Sequence, residues 1–326
     1  MALSGAGWNG SAGLSGTKTP DPQSHLTITD CVGCHTSMTA DTIVTWKDSK
    51  IPIVYNKQVP TNPLAGGNFY WVEAAGFGDE YGHNVWGISD PDTLINQAPG
   101  NTHTCSNKGC HISLAKNPVE SGDMFEYKNG CEGCHYYYSH HDSGTPSTQS
   151  SAYRFLEGHD SNTYVMGLED ADWERADLVS STKHNEYQGN ANDHSFVGDG
   201  YSSLANTHAM SSYCKGCHTI FHQQTQSATN NAWVRHPSDV TLPNKGEYAS
   251  YTVYNPIAPV ARQTLPSSPS SAVTPGTTDI VMCLSCHRPH GSPYKDILRW
   301  DYSTMLAGGS GATGNGCFVC HTQKDD

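Results

Sequence analysis

VMCLSCHRPH, residues Val281 to His290, spaces two cysteines two residues apart and follows the second at once with a histidine. The same arrangement recurs along the chain as CVGCH (Cys31, Cys34, His35), CEGCH (Cys131, Cys134, His135), CKGCH (Cys214, Cys217, His218), CLSCH (Cys283, Cys286, His287) and CFVCH (Cys317, Cys320, His321). A widened version, CSNKGCH, carries Cys105, Cys110 and His111. These six motifs account for all 12 cysteines, so none is left over for a disulfide framework.

Two thiols at this spacing can each add across one vinyl group of a single porphyrin, and the next imidazole then lies under the iron as its proximal ligand. One motif fixes one haem, so the sequence predicts six covalently bound haems c. The competing chemistry is a zinc ribbon, in which two C-x-x-C pairs share one tetrahedral ion. That arrangement gives the following histidine no defined task, yet a histidine follows every pair. The widened motif must loop two extra residues out between its thioethers, and its five companions support the same reading.

The composition agrees. Leu, Ile, Val and Phe make up 50 of the 326 residues, about 15%, below the roughly 20% at which a chain struggles to build an aliphatic core. Porphyrins supply the missing apolar bulk. The predicted fold class is therefore mostly coil with short helices and few short strands, a multihaem cytochrome c wrapped around a chain of haems. Folding should be coupled to haem attachment. A net charge of -13 disfavours a nucleic-acid partner, and no apolar run is long enough to predict a membrane span. Haem attachment to such motifs takes place outside the cytoplasm, so the expected location is extracellular, at the cell surface or periplasmic, with the leader peptide removed.

The motifs fall into two groups. The expected organisation is a flexible, Gly-, Ser- and Pro-rich N-terminal arm over 1–24, a three-haem lobe over 25–141, a haem-free connecting segment over 142–207 and a second three-haem lobe over 208–326, the whole compatible with one continuous domain. Leu168 to Lys183 is the best helix candidate; Ile51 to Tyr55, Asn68 to Val72 and Tyr248 to Tyr254 read as strands. HLTITDCVGCHT (His25 to Thr36) and HAMSSYCKGCHT (His208 to Thr219) share a histidine six residues before the first cysteine, a faint internal echo.

Six irons with two axial ligands each need six further side chains. Twelve histidines lie outside the motifs against only seven methionines, so ligation by two histidines is expected, which favours low potentials. His290 and His222 follow a motif closely and can reach a neighbouring haem. His83, His184, His236 and one of His140 or His141 come next, then His25 and His208, which precede a motif. His103, His159 and His194 read as surface or propionate-contacting residues.

YCKGCHTIFH, WVRHPSDVTLPNKGEYASYTVYNPIAPVAR, VMCLSCHRPHGSPYKDILRWDYSTM and GCFVCHTQKD resemble the doubled-CXXCH multihaem cytochromes of metal-reducing bacteria, which include outer-surface nanowire cytochromes. The resemblance implies axial roles for His83, His222, His236 and His290. It also implies electron transfer to redox proteins or to extracellular acceptors such as minerals, electrodes or other cells, with head-to-tail self-association into a filament. The leading expectation is thus a non-enzymatic electron conduit. The alternatives are a soluble periplasmic shuttle and a multihaem reductase, which needs one iron with an open face.

Overall fold

Frequent glycine and proline break the chain before any regular element can extend, and the computed structural model follows that punctuation. It describes residues 3–4, 17–18, 30–46, 49–95, 98–100, 114–115, 130–135, 152–156, 164–191, 208–218, 236, 238–308 and 314–324. Among these the α-helices are Asp30–Cys34, Tyr70–Glu73 and Met210–Lys215, none longer than six residues. The strands are equally short. Ile43–Trp46 and Ser49–Pro52 form a hairpin, Thr36–Ser37 pairs in parallel with Tyr55–Asn56, and Gly167–Leu168 pairs antiparallel with Glu186–Tyr187. In the three-stranded sheet Asp279–Val281 lies between Ala261–Arg262 and Val240–Thr241. Leu3–Ser4 and Thr17–Lys18 pair within the N-terminal stretch. The fold is the mostly coil architecture that the composition predicts.

Several local expectations are corrected. Leu168 to Lys183 is no helix: the Asp170 carboxylate accepts from the backbone N–H of both Asp172 and Glu174, and Trp173 and Glu174 take positive φ. A short acidic side chain has outcompeted the helical ladder for its donors. Asn68 to Val72 is not a strand either, because Asn68 Oδ1 accepts from Tyr70 N at 3.0 Å and starts a helical turn. Tyr248 to Tyr254 begins as a 3-10 turn, Gly246–Ser250, and the Tyr251 hydroxyl then donates to Ala258 O at 2.7 Å. Ile51 to Tyr55 is split between two strands.

The core is correspondingly divided. One cluster gathers Leu242, Tyr254, Val260, Trp300 and Val319 against Cys286, Cys317 and Cys320. A second gathers Tyr153, Tyr187, Met210, Ile280 and Met282 against Tyr213. A third packs Tyr55, Phe69, Val72 and Val85 against Val32 and Cys131. Each abuts a cysteine motif. Between the clusters run buried polar ties, chiefly Arg262, which donates to Glu186 at 2.9 Å and to Asp279.

The segment after the fifth motif is stitched to the first half of the chain. Asn68 N donates to Gly291 O at 2.9 Å, His290 N to Gly66 O at 2.7 Å, and Ser292 N to Tyr81 O at 2.9 Å. Gly67 and Gly291 form a parallel bridge, and a Cβ at Gly67 would overlap Gly291 O. The Arg288 guanidinium adds a bond to Leu64 O at 2.7 Å. These contacts carry His83 and His290 to their positions.

Candidate haem sites

Five of the six motifs lie among the described residues, and each makes the same turn. The histidine N–H donates to the carbonyl of the first cysteine four residues back, at 2.9 Å for His35, 2.8 Å for His135, 3.0 Å for His218, 3.1 Å for His287 and 3.0 Å for His321. One such turn brings both thiols and the imidazole into a single local unit. The ten cysteines of these motifs are half-buried. Cys105, Cys110 and His111 lie outside the described residues.

The imidazoles are oriented by their second nitrogen. Nδ1 faces the carbonyl of Pro52 from His35 (2.7 Å), of Arg154 from His135 (2.7 Å), of Pro99 from His218 (2.9 Å) and of Asp296 from His287 (2.8 Å). A carbonyl can only accept, so Nδ1 carries the proton and Nε2 keeps its lone pair for a metal. Three described non-motif histidines also set Nδ1 against a carbonyl: His83 donates to Pro289 O at 2.6 Å, His208 to Tyr164 O at 2.7 Å and His184 to Ser180 O at 3.1 Å, the last with Nε2 engaged as well. Burial pushes the pKa values of His35, His135 and His287 down, and His290 to about 3. Neutral rings are what axial ligation requires.

Three motif histidines each face a second histidine across a gap. Ring centroids are 6.1 Å apart for His218 and His83, 6.1 Å for His135 and His290, and 6.2 Å for His321 and His236. Two imidazoles holding one metal at bonds of about 2 Å put their centroids about 6.3 Å apart. The fit to an iron between them is close, and three pairs repeat it. Two of them, His218 with His83 and His135 with His290, join residues from opposite halves of the chain.

His184, expected as a distal ligand, has both ring nitrogens within hydrogen-bond distance of protein acceptors. The side chain is fully buried, Nε2 lies 3.1 Å from Glu186 Oε1, Nδ1 lies 3.1 Å from Ser180 O, and the ring stacks on Tyr254 at 3.6 Å. Both nitrogens are engaged within the protein, which is a packing role. His25, His140, His141 and His222, with His103, His159 and His194, lie outside the described residues.

The five described motifs adjoin one another in turn, the first meeting the third. The Cys131 thiol is pushed well up in pKa, first by its hydrogen bond with Cys31 and then by burial; Cys283 does the same to Cys214. Tyr213, beside the fourth motif, donates to Cys134 O of the third at 3.1 Å. Cys286 is raised to about 12 by burial and by the nearby Cys320 and Cys317. The motifs at His35, His135, His218, His287 and His321 therefore stand in series.

Two features escaped the sequence. A cavity of about 410 Å³ is bordered by Arg288 and Arg299, guanidinium groups whose hydrogen bonds go to backbone carbonyls. Such cations suit haem propionates. Glu247 meets His321, with Oε1 3.2 Å from Nδ1. Neither residue type at these positions forms a recognisable spacing with a motif.

The doubled CXXCH motif family model matches residues 275–326, the last two motifs with the sequence around them. Among solved structures the chain is similar to the Outer Membrane Cytochrome S filament from Geobacter sulfurreducens, at 18% identity and a TM-score of 0.54, covering 100% of this chain and 89% of that one. At that identity the likeness shows the fold. No curated protein matches the chain. Among the described residues no helix is long and apolar enough to cross a membrane. In its motifs, its C-terminal motif pair and its fold, the chain resembles the doubled-CXXCH multihaem c-type cytochromes, with haem c as the cofactor.

Proposed function

We propose that this chain is an extracellular electron conduit that carries six covalent haems c and passes electrons from haem to haem. The observation that carries the reading is the set of three histidine pairs at iron-sized separation. In this reading Cys31, Cys34, Cys105, Cys110, Cys131, Cys134, Cys214, Cys217, Cys283, Cys286, Cys317 and Cys320 form the thioethers, and His35, His111, His135, His218, His287 and His321 are the proximal ligands. His83 completes the haem at His218, His290 that at His135, and His236 that at His321. His208, with Nε2 left available, is a further distal ligand.

Haem supplies the one-electron chemistry; the protein sets distances, orientation and potential. At the three haems with paired histidines both axial positions are filled and no open face is left for a substrate, which argues for electron transfer over reductase chemistry there. The serial contacts between motifs support hopping along the chain of sites.

The fold likeness to a filament subunit supports self-association. Head-to-tail contacts between identical chains do not close and so extend into filaments. A distal histidine donated across the boundary would couple assembly to ligation. The haem at His321 has His236 in its own chain, so a donated ligand would serve another iron. Cryo-electron microscopy of the haem-loaded protein, paired with haem quantification, tests all of this: six low-spin haems per chain in a filament are expected. Discrete particles at high concentration would overturn the polymer, and a high-spin iron would overturn the closed-face assignment.

A further inference from the structure

Among the described residues, most axial-type histidines have Nδ1 against a backbone carbonyl, a neutral acceptor: His35, His83, His135, His208, His218 and His287. His321 differs. Its Nδ1 lies 3.2 Å from the Glu247 carboxylate, whose other oxygen is buried without a hydrogen-bond partner. The carboxylate is half of a clamp: Thr322 Oγ1 donates to the Glu247 carbonyl at 2.6 Å, and the Tyr248 ring stands edge-on to His321 at 5.1 Å. The imidazole is thereby fixed in rotation as well as in tautomer.

We propose that Glu247 is a tuning residue that makes the haem at His321 the most reducing of the three haems with paired histidines. A carboxylate accepting the Nδ1 proton gives the imidazole partial imidazolate character, strengthens its donation to iron and favours the ferric state. The opposite extreme is the haem at His135, whose distal His290 keeps a buried Nδ1 with no hydrogen-bond partner. That ring is a weaker donor in an apolar site. The potentials thus fall toward the C-terminal haem, so an electron arriving there runs inward along the series. This inference rests on the axial pairing of His321 with His236.

The test is spectroelectrochemical titration of the haem-loaded protein with the variants Glu247→Gln, Glu247→Asp, Thr322→Val and His236→Met. Before titration, His236→Met must alter the axial-ligand signature of one low-spin iron in the oxidised protein; a spectrum that His236→Met leaves wholly unaltered would overturn the pairing itself. With the pairing intact, Glu247→Gln should move one component upward by about a tenfold change in its reduction equilibrium constant, ~59 mV for one electron. The same component should be the one that His236→Met displaces, and its low-spin EPR anisotropy should change. Glu247→Asp should restore part of the shift. Thr322→Val, which removes the backbone clamp and keeps the carboxylate, should leave the potential in place. Titrations in which Glu247→Gln moves no component, or a component other than that of His236→Met, would overturn the tuning role while leaving the pairing standing.

Discussion

Replacing His290 with alanine separates a ligand from a packing residue. His290 lies opposite His135 with ring centroids 6.1 Å apart, packs on Phe69 with ring centroids 4.8 Å apart, and its ring fills the space that a Cβ at Gly66 would need. Its Nδ1 is buried without a hydrogen-bond partner among the described residues. On the proposed pairing and haem count, truncation at Cβ leaves one iron in six with an open face. One-sixth of the haem should turn high-spin, and the reduced protein should bind one carbon monoxide per chain where the wild type binds none. The buried ring also fills space, so stability should fall by roughly 2–5 kcal/mol. His184→Ala is the matched control. It should cost a similar amount, because it strips a partner from Glu186 and uncovers Tyr254, yet leave every haem low-spin and inert to carbon monoxide. Full haem content in His290→Ala with no carbon monoxide binding would refute the pairing; carbon monoxide binding by His184→Ala would refute the packing role.

The remaining predictions concern the frame around the sites. Arg262→Ala strands the buried Glu186 and Asp279 carboxylates and should cost about 3–5 kcal/mol in chemical denaturation. Asp172 is held below the ordinary carboxylate pKa by hydrogen bonds from Lys183 and Lys50. Its contribution is therefore present above the ordinary value of 3.8 and is lost as the pH falls through the depressed one. Because both lysines are substantially exposed, Asp172→Asn should cost about 1 kcal/mol or less at neutral pH, and the two proteins should converge in acid. Gly67→Ala must strain a backbone at φ 84° and push the new methyl into Gly291 O. It should loosen the tie between the first half of the chain and the fifth motif, read as faster hydrogen exchange at Asn68 and Gly291.

The six cysteine–histidine motifs are legible in the sequence because covalent haem attachment imposes a fixed local spacing. The scarcity of regular structure is legible for a related reason, since too few aliphatic residues remain to support long elements. Distal ligands carry no such local signature. On the proposed pairing, His83 and His236 become ligands only because turns far away in sequence bring them opposite His218 and His321, and His184 differs from them in having Glu186 two residues on, close enough to take its Nε2. The helix expected over Leu168 to Lys183 failed for a local reason that composition averages conceal. One carboxylate at Asp170 redirects two backbone donors.

Ligation and topology are the same problem in this chain. Its three apolar clusters each stop at a cysteine motif, and on the proposed pairing two of its irons, at His135 and His218, are held by histidines from opposite halves of the sequence. A haem there does more than fill a gap in a core. It closes a loop from His135 to His290, or from His83 to His218, whose entropy the short strands and isolated bridges offset only weakly. Losing the haem therefore removes apolar surface and a long-range cross-link together, and the buried Arg262 network remains as a polar tie with little core around it. Chain prepared without haem should accordingly lack cooperative unfolding and bind hydrophobic dyes, while haem-loaded protein unfolds with its Soret band. A compact, cooperatively unfolding chain free of haem would mean that the polypeptide holds its own fold, and that the porphyrins are cargo.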